Sequence, residues 1–200
     1  MSSQLEDPAS PAPSPITTID GSSYTAAAQA AVGTCATVCL GGTFDHLHAG
    51  HKVLLTVAGL WAHTRVYCGV TTPALLAKKA HVGVMQSYDE RAMAVTRLLS
   101  IVRRSVGAEI VAIDDGFGPT ITLPDLEALT VSEETRAGAD AINAERARRG
   151  YKPLAIHAVS LVVPEGRAAV NKLSSTLIRS YIAGGMKDVS LFGLNDPEVV

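Results

Sequence analysis

The chain has 200 residues, 47% of them hydrophobic, and a formal net charge of −2. That length suits one α/β domain with its own core, and the near-neutral charge gives no electrostatic reason to bind nucleic acid or an anionic membrane. No apolar run approaches the length of a membrane span, so a cytoplasmic chain is expected, and any site for an anionic ligand has to be positive locally.

Residues 1–33 are rich in Pro, Ser and Ala, with few large apolar groups, and are expected to form a disordered tail. They carry Glu6, Asp7 and Asp20 and no arginine before Arg65, unlike a mitochondrial leader. From Thr34 strand and helix patterns alternate, which argues for one parallel sheet with helices on both faces over 34–185. A strand is predicted at about 36–40, a helix at 50–61 and a second strand at 65–70. A polar loop with Lys78 and Lys79 leads to a helix at about 87–104. Ala94, Leu98, Ile101 and Val102 form its expected apolar face, with Arg91, Arg97 and Arg104 largely away from it.

A third strand follows at about 109–113, then the turn Asp114-Asp115-Gly116-Phe117-Gly118-Pro119. The fourth strand is expected at 128–131. The next helix takes Ser132 as its N-cap, Glu133 and Glu134 in its first turn, and Arg146, Arg148 and Arg149 before Gly150. A β-branched fifth strand is predicted over 154–163, a last helix from about Ser175 to Gly184-Gly185, and a C-terminal tail over 186–200. Cys35, Cys39 and Cys68 are odd in number and lack paired metal-type spacing, which reads as reduced thiols.

The chemistry concentrates in Gly41-Gly42-Thr43-Phe44-Asp45-His46-Leu47-His48-Ala49-Gly50-His51-Lys52. A strand, a glycine turn and a helix start bring free backbone N–H groups to an anion. His48 and His51, three residues apart, can point the same way. A zinc site built on His46, His48 and His51 is disfavoured, because no cysteine accompanies them at finger spacing.

A second segment, Lys172-Leu173-Ser174-Ser175-Thr176-Leu177-Ile178-Arg179, places three hydroxyls at a helix start and an arginine one turn in, where its guanidinium could fork onto a phosphate. A third runs from Phe117-Gly118-Pro119-Thr120 through Val131-Ser132-Glu133-Glu134-Thr135-Arg136 to Ile142-Asn143 and Arg146.

Together these segments resemble the H-x-G-H nucleotidylyltransferases, and in particular the eukaryotic and archaeal phosphopantetheine adenylyltransferases. The resemblance runs from about Val38 to Tyr181 and departs at Gly83–Ser87 and Glu165–Ala169. It implies a Rossmann-like doubly wound α/β sheet of about five parallel strands. It also implies adenylyl transfer from ATP to 4′-phosphopantetheine, giving 3′-dephospho-CoA and pyrophosphate, with Mg²⁺ carried on the ATP.

On that resemblance His51 meets charge at the α-phosphate and His48 neighbouring phosphate oxygens. Gly42, Thr43 and Phe44 belong to the binding loop, with Thr43 on the acceptor's phosphate. Lys79 bridges the two reacting phosphates, and Ser174, Ser175, Thr176 and Arg179 hold pyrophosphate. Arg136 is a weaker candidate for the acceptor. The alternatives are a nicotinamide-mononucleotide adenylyltransferase, a glycerol-phosphate cytidylyltransferase, or a silent nucleotide-binding scaffold for other coenzyme A enzymes. No Gly-x-x-x-x-Gly-Lys-[Ser/Thr] phosphate loop occurs, so a chain that stops at dephospho-CoA is expected.

Overall fold

Strand β1 (Cys35–Gly42) lies at the centre of a five-stranded sheet in which every pairing is parallel. A computed structural model describes residues 35–160 and 173–184. The expected tails over 1–33 and 186–200, the end of the fifth strand beyond residue 160, and Lys172 lie outside the described residues.

The other strands are β2 (Ala62–Thr71), β3 (Gly107–Ile113), β4 (Ala128–Ser132) and β5 (Ala155–Val159), in the spatial order β3-β2-β1-β4-β5. The chain first winds outward from β1 through β2 to β3, then returns to the other side of β1. Such a reversal leaves a crevice at the carboxyl ends of the two central strands, where open α/β sheets bind ligands. The register makes it visible. β1 pairs with β2 as far as Gly42↔Val70, but with β4 only at Val38↔Ala128 and Cys39↔Leu129, so β1 and β4 part beyond Cys39.

Helices α1 (Ala49–Trp61) and α2 (Tyr88–Val102) cover one face. There Leu55, Ala58, Val95 and Leu99 pack on Val38, Leu40, Val66 and Cys68. Helix α3 (Arg136–Arg148) covers the other face, with Ala139 and Ile142 on Cys39, Leu129 and Val131. Burial on both faces accounts for the near-continuous apolar runs of β1 and β4. Among the described residues no helix is long and apolar enough to cross a membrane.

Three local expectations need correction. The buried stripe of α2 is Arg91, Val95 and Leu99, whereas Ile101 is 71% exposed. Arg91 is drawn inward because its guanidinium finds three carbonyls, those of Gln86, Thr43 and Thr71. Ser87 caps this helix in a reciprocal box with Glu90.

Ser132 does not cap α3. A 3₁₀ turn over Glu133–Thr135 intervenes while the chain swings from the sheet to its face, and the Ser132 hydroxyl meets Thr135 Oγ1 at 3.1 Å. Arg146, expected near the helix end as a dipole partner, is fully buried. It donates to the carbonyls of Lys152, Thr120, Leu123, Pro124 and Leu126.

Candidate active site

The crevice holds a cavity of about 570 Å³. Gly42, Thr43 and Phe44 border it from the end of β1, His48, Gly50 and His51 from the start of α1, and Lys79 from the loop after β2. Ser174, Ser175, Thr176 and Arg179 close it from helix α4 (Ser175–Gly184) and the residue before it. Thus ten of the eleven residues singled out in the sequence reach one cavity, from segments more than a hundred positions apart. Arg136 does not. Its side chain is 61% exposed beside Glu133 and borders neither this cavity nor its neighbour. Lys79 borders the cavity and Lys78 does not.

His48 stands at the N-cap of α1 with extended backbone and no side-chain cap bond, so the first-turn N–H groups are left to the cavity side. Its ring stacks on that of His51, with centroids 3.9 Å apart. Phe44 supports the pair from behind. Its side chain is fully buried in the core, and its ring lies 5.4 Å from that of His51. Gly42 makes room for this, since a Cβ there would sit 3.2 Å from the Phe44 ring.

Burial, and then the neighbouring His48 ring, push the His51 imidazole down to about 4. His51 is therefore neutral near pH 7, a hydrogen-bond donor rather than a fixed cation, with a buried Nδ1 that has no partner among the described residues. An unfolded histidine titrates near 6.5, so below that pH the unfolded chain takes up a proton that the folded site refuses until about 4. Stability is expected to fall as pH drops through that window, with half-buried His157, also shifted down by desolvation, adding in the same direction. Calorimetry at stepped pH should show His51→Asn losing part of this acid slope; a slope identical to wild type would contradict the burial of a neutral ring.

The loop between β1 and α1 is strained. Phe44 and His46 adopt φ of 52° and 45°, a left-handed region that costs non-glycine residues roughly 1–3 kcal/mol each and persists only where surrounding contacts over-determine it. Those contacts converge on Asp45, which is fully buried. Arg179 Nη1 donates to Asp45 Oδ2 at 2.7 Å, the Gln86 amide donates to Oδ1 at 2.9 Å, and the Ser175 hydroxyl donates to the Asp45 carbonyl at 2.8 Å. Arg179 is 2% exposed and also donates from Nε to the Ala80 carbonyl and from Nη2 to Thr176 Oγ1. Each of its nitrogens thus has a protein acceptor, whereas a fork open to phosphate was expected. The sequence assigned no role in the site to Asp45 or Gln86, and it placed Arg91 on its helix largely away from the apolar face. Asp45's place inside the motif was the signal for it, because burial of a charge is a tertiary property.

A second cavity, of about 360 Å³, adjoins the first and shares Gly41, Gly42, Leu54 and Thr135 with it. Its lining is mostly apolar, with Leu75, Ile113, Phe117, Pro119, Val131 and Ile142 among its walls. Gly41 and Gly69, directly paired across β1 and β2, also border it and bring no side chains into it. Gly118, at φ +49°, lets the Phe117–Thr120 turn approach Ile113, where a Cβ would stand only 2.5 Å from a side-chain carbon. The Asp115 carboxylate fastens this turn by accepting from the Phe117 and Gly118 amides. The Thr71 hydroxyl, at the cavity wall, is buried without a partner among the described residues.

A profile of the cytidylyltransferase-like family matches residues 39–181. A phosphopantetheine adenylyltransferase of Methanopyrus kandleri is 38% identical over 149 residues, which cover 74% of this chain and 91% of that protein. The chain belongs to the cytidylyltransferase-like family, in its phosphopantetheine adenylyltransferase branch. A phosphopantetheine adenylyltransferase of Saccharomyces cerevisiae is 40% identical over 72% of this chain and 47% of its own length. An uncharacterized protein of Schizosaccharomyces pombe is 39% identical with the same coverage of each chain. The chain thus spans about half the length of these two yeast relatives. Among solved structures, a protein of unknown function from Archaeoglobus fulgidus superposes with a TM-score of 0.54 at 33% identity, covering 66% of this chain and 95% of that one. Membership explains why the glycine turn, the histidine pair and the serine-rich helix start occur together.

Proposed function

We propose that the protein transfers the adenylyl group of ATP to 4′-phosphopantetheine, releasing 3′-dephospho-CoA and pyrophosphate. The observation that carries this reading is the pair of adjoining cavities, one lined by histidines, hydroxyls and a lysine and one smaller and mostly apolar, meeting at Gly41 and Gly42. The first suits a triphosphate. The second suits a slender pantetheine arm, with the Thr71 hydroxyl available to an amide. The relatives of the same branch support the choice of substrates.

In the reaction a phosphate oxygen of the acceptor attacks the α-phosphorus, a new P–O bond forms, and the bond to the β-phosphate oxygen breaks. The nucleophile is already anionic near neutral pH, so no general base is needed. Charge builds on the α-phosphate and on the departing pyrophosphate, and donors fixed in advance meet it there. His51 serves the α-phosphate, His48 a neighbouring oxygen and Lys79 the space between the two reacting phosphates. Thr43 takes the acceptor's phosphate, and Ser174, Ser175 and Thr176 take pyrophosphate.

Mg²⁺ enters as part of the nucleotide substrate. Among the described residues no group of three His, Cys, Asp or Glu could hold a metal, and the Asp45 carboxylate is engaged by Arg179 and Gln86. A reducing compartment, the cytoplasm, fits three buried cysteines that form no disulfide among the described residues, of which Cys39 is pushed up to about 12 by burial.

Pyrophosphate release tests the reading. With MgATP and 4′-phosphopantetheine it should be fast, and the acceptor's mass should rise by one adenylyl group. Release with nicotinamide mononucleotide, or with CTP and glycerol phosphate, would overturn the acceptor assignment. ATP binding without any turnover would make the protein a nucleotide-binding scaffold instead.

A further inference from the structure

One carboxylate ties together three of the segments that surround the phosphate cavity. Asp45 lies in the β1–α1 loop that carries Thr43 and His48. Through Oδ1 it receives the Gln86 amide, and through Oδ2 and its backbone carbonyl it receives Arg179 and Ser175 of α4. Arg179 extends the tie to the Ala80 carbonyl, next to Lys79. Gln86 returns the link by accepting the His46 amide at 2.7 Å, and His46 Nε2 lies 3.0 Å from the Val84 carbonyl. Asp45 itself does not border the cavity. It acts on the site only through the segments it joins.

We propose that Asp45 is a positioning residue for the outer phosphates of the nucleotide. Through Arg179 its buried charge holds the first turn of α4 and the Lys79 loop against the histidine loop. The left-handed residues on either side, Phe44 and His46, turn its side chain inward, and its bonds to α4 hold that conformation in return. Arg179 is on this view mainly the second half of the latch, acting on the β- and γ-phosphates by fixing Ser174, Ser175 and Thr176. The proposal rests on the reading that the larger cavity takes a nucleoside triphosphate.

Asp45→Asn keeps the size and removes the charge. Calorimetric titration should show ATP binding weakened about tenfold and AMP binding by less than about twofold, because AMP lacks the phosphates that α4 would hold. Hydrogen exchange should show the amides of 175–184 exchanging about tenfold faster than in the wild type. Equal losses for ATP and AMP would reduce Asp45 to a general support of the fold, and unchanged exchange in α4 would remove the latch; either result overturns the proposal. Should Asp45→Asn lack a cooperative unfolding transition, Arg179→Lys carries the comparison. It keeps a charge beside Asp45 but loses the Ala80 and Thr176 contacts, so the ATP-to-AMP affinity ratio should fall about threefold, and an unchanged ratio overturns the proposal. A wild-type protein that binds no ATP would defeat the functional reading, while the exchange measurement still judges the latch.

Discussion

His51→Ala is expected to lower kcat by about 10²–10³, the typical cost of removing one donor aimed at developing charge, while KM for ATP and for the acceptor moves far less. The expectation rests on how firmly the ring is held. His51 sits in the first turn of α1, stacked on His48 and packed near the buried Phe44 ring, so little reorganisation is needed when charge appears. Its lowered pKa keeps it neutral before substrate binds. It therefore donates one N–H rather than adding a permanent charge, and a donor of that kind gains most as the phosphate becomes more negative. Single-turnover measurement separates this step from product release. A variant with near-wild-type single-turnover rate would remove His51 from the transition state.

Arg146→Ala is expected to produce the largest loss of stability, about 3–5 kcal/mol. Arg146 uses all five of its N–H donors on five main-chain carbonyls of residues 120–126 and 152. Truncation leaves those carbonyls with lost partners, and an unsatisfied buried group costs about 1–3 kcal/mol, partly relieved where water can enter. Against a typical total of about 5–15 kcal/mol this is a large fraction. Urea unfolding should show a lower midpoint. The carbonyls include that of Thr120, in the wall of the second cavity, so affinity for the acceptor should suffer more than affinity for ATP. An Arg146→Ala protein as stable as wild type would show that the loop 120–126 is held by other means.

The block after β4 illustrates how a motif can mislead about roles. Ile142 is core, and Asn143 exchanges two hydrogen bonds with the Leu154 backbone, at 2.8 and 3.1 Å. Arg146 ties down a loop. Arg136, the basic residue in that block expected to reach substrate, points to solvent beside Glu133. The block shapes the second cavity through its apolar members; of its charged members Arg146 serves the backbone, Glu133 and Arg136 face the surface, and Glu134 borders the first cavity.

What the chain order of residues determined by itself was the alternation of strand and helix, because burial on both faces writes a local, near-continuous apolar pattern into each parallel strand. The glycine turn and the histidine-bearing helix start that follows it were equally legible, since a short local run of residues specifies them. Five parallel strands and a cavity bordered by His48, His51, Lys79 and Ser174–Thr176 agree with that reading. Only the tertiary structure decided which charges are buried. Arg91, Arg146 and Arg179 look like surface residues on a helical wheel, and Asp45 like part of an exposed turn. Each is buried because partners from elsewhere, 134 positions away for Asp45 and Arg179, arrive to satisfy it. A charge enters the interior only when its full set of partners is in place, and that set belongs to no local stretch of the chain.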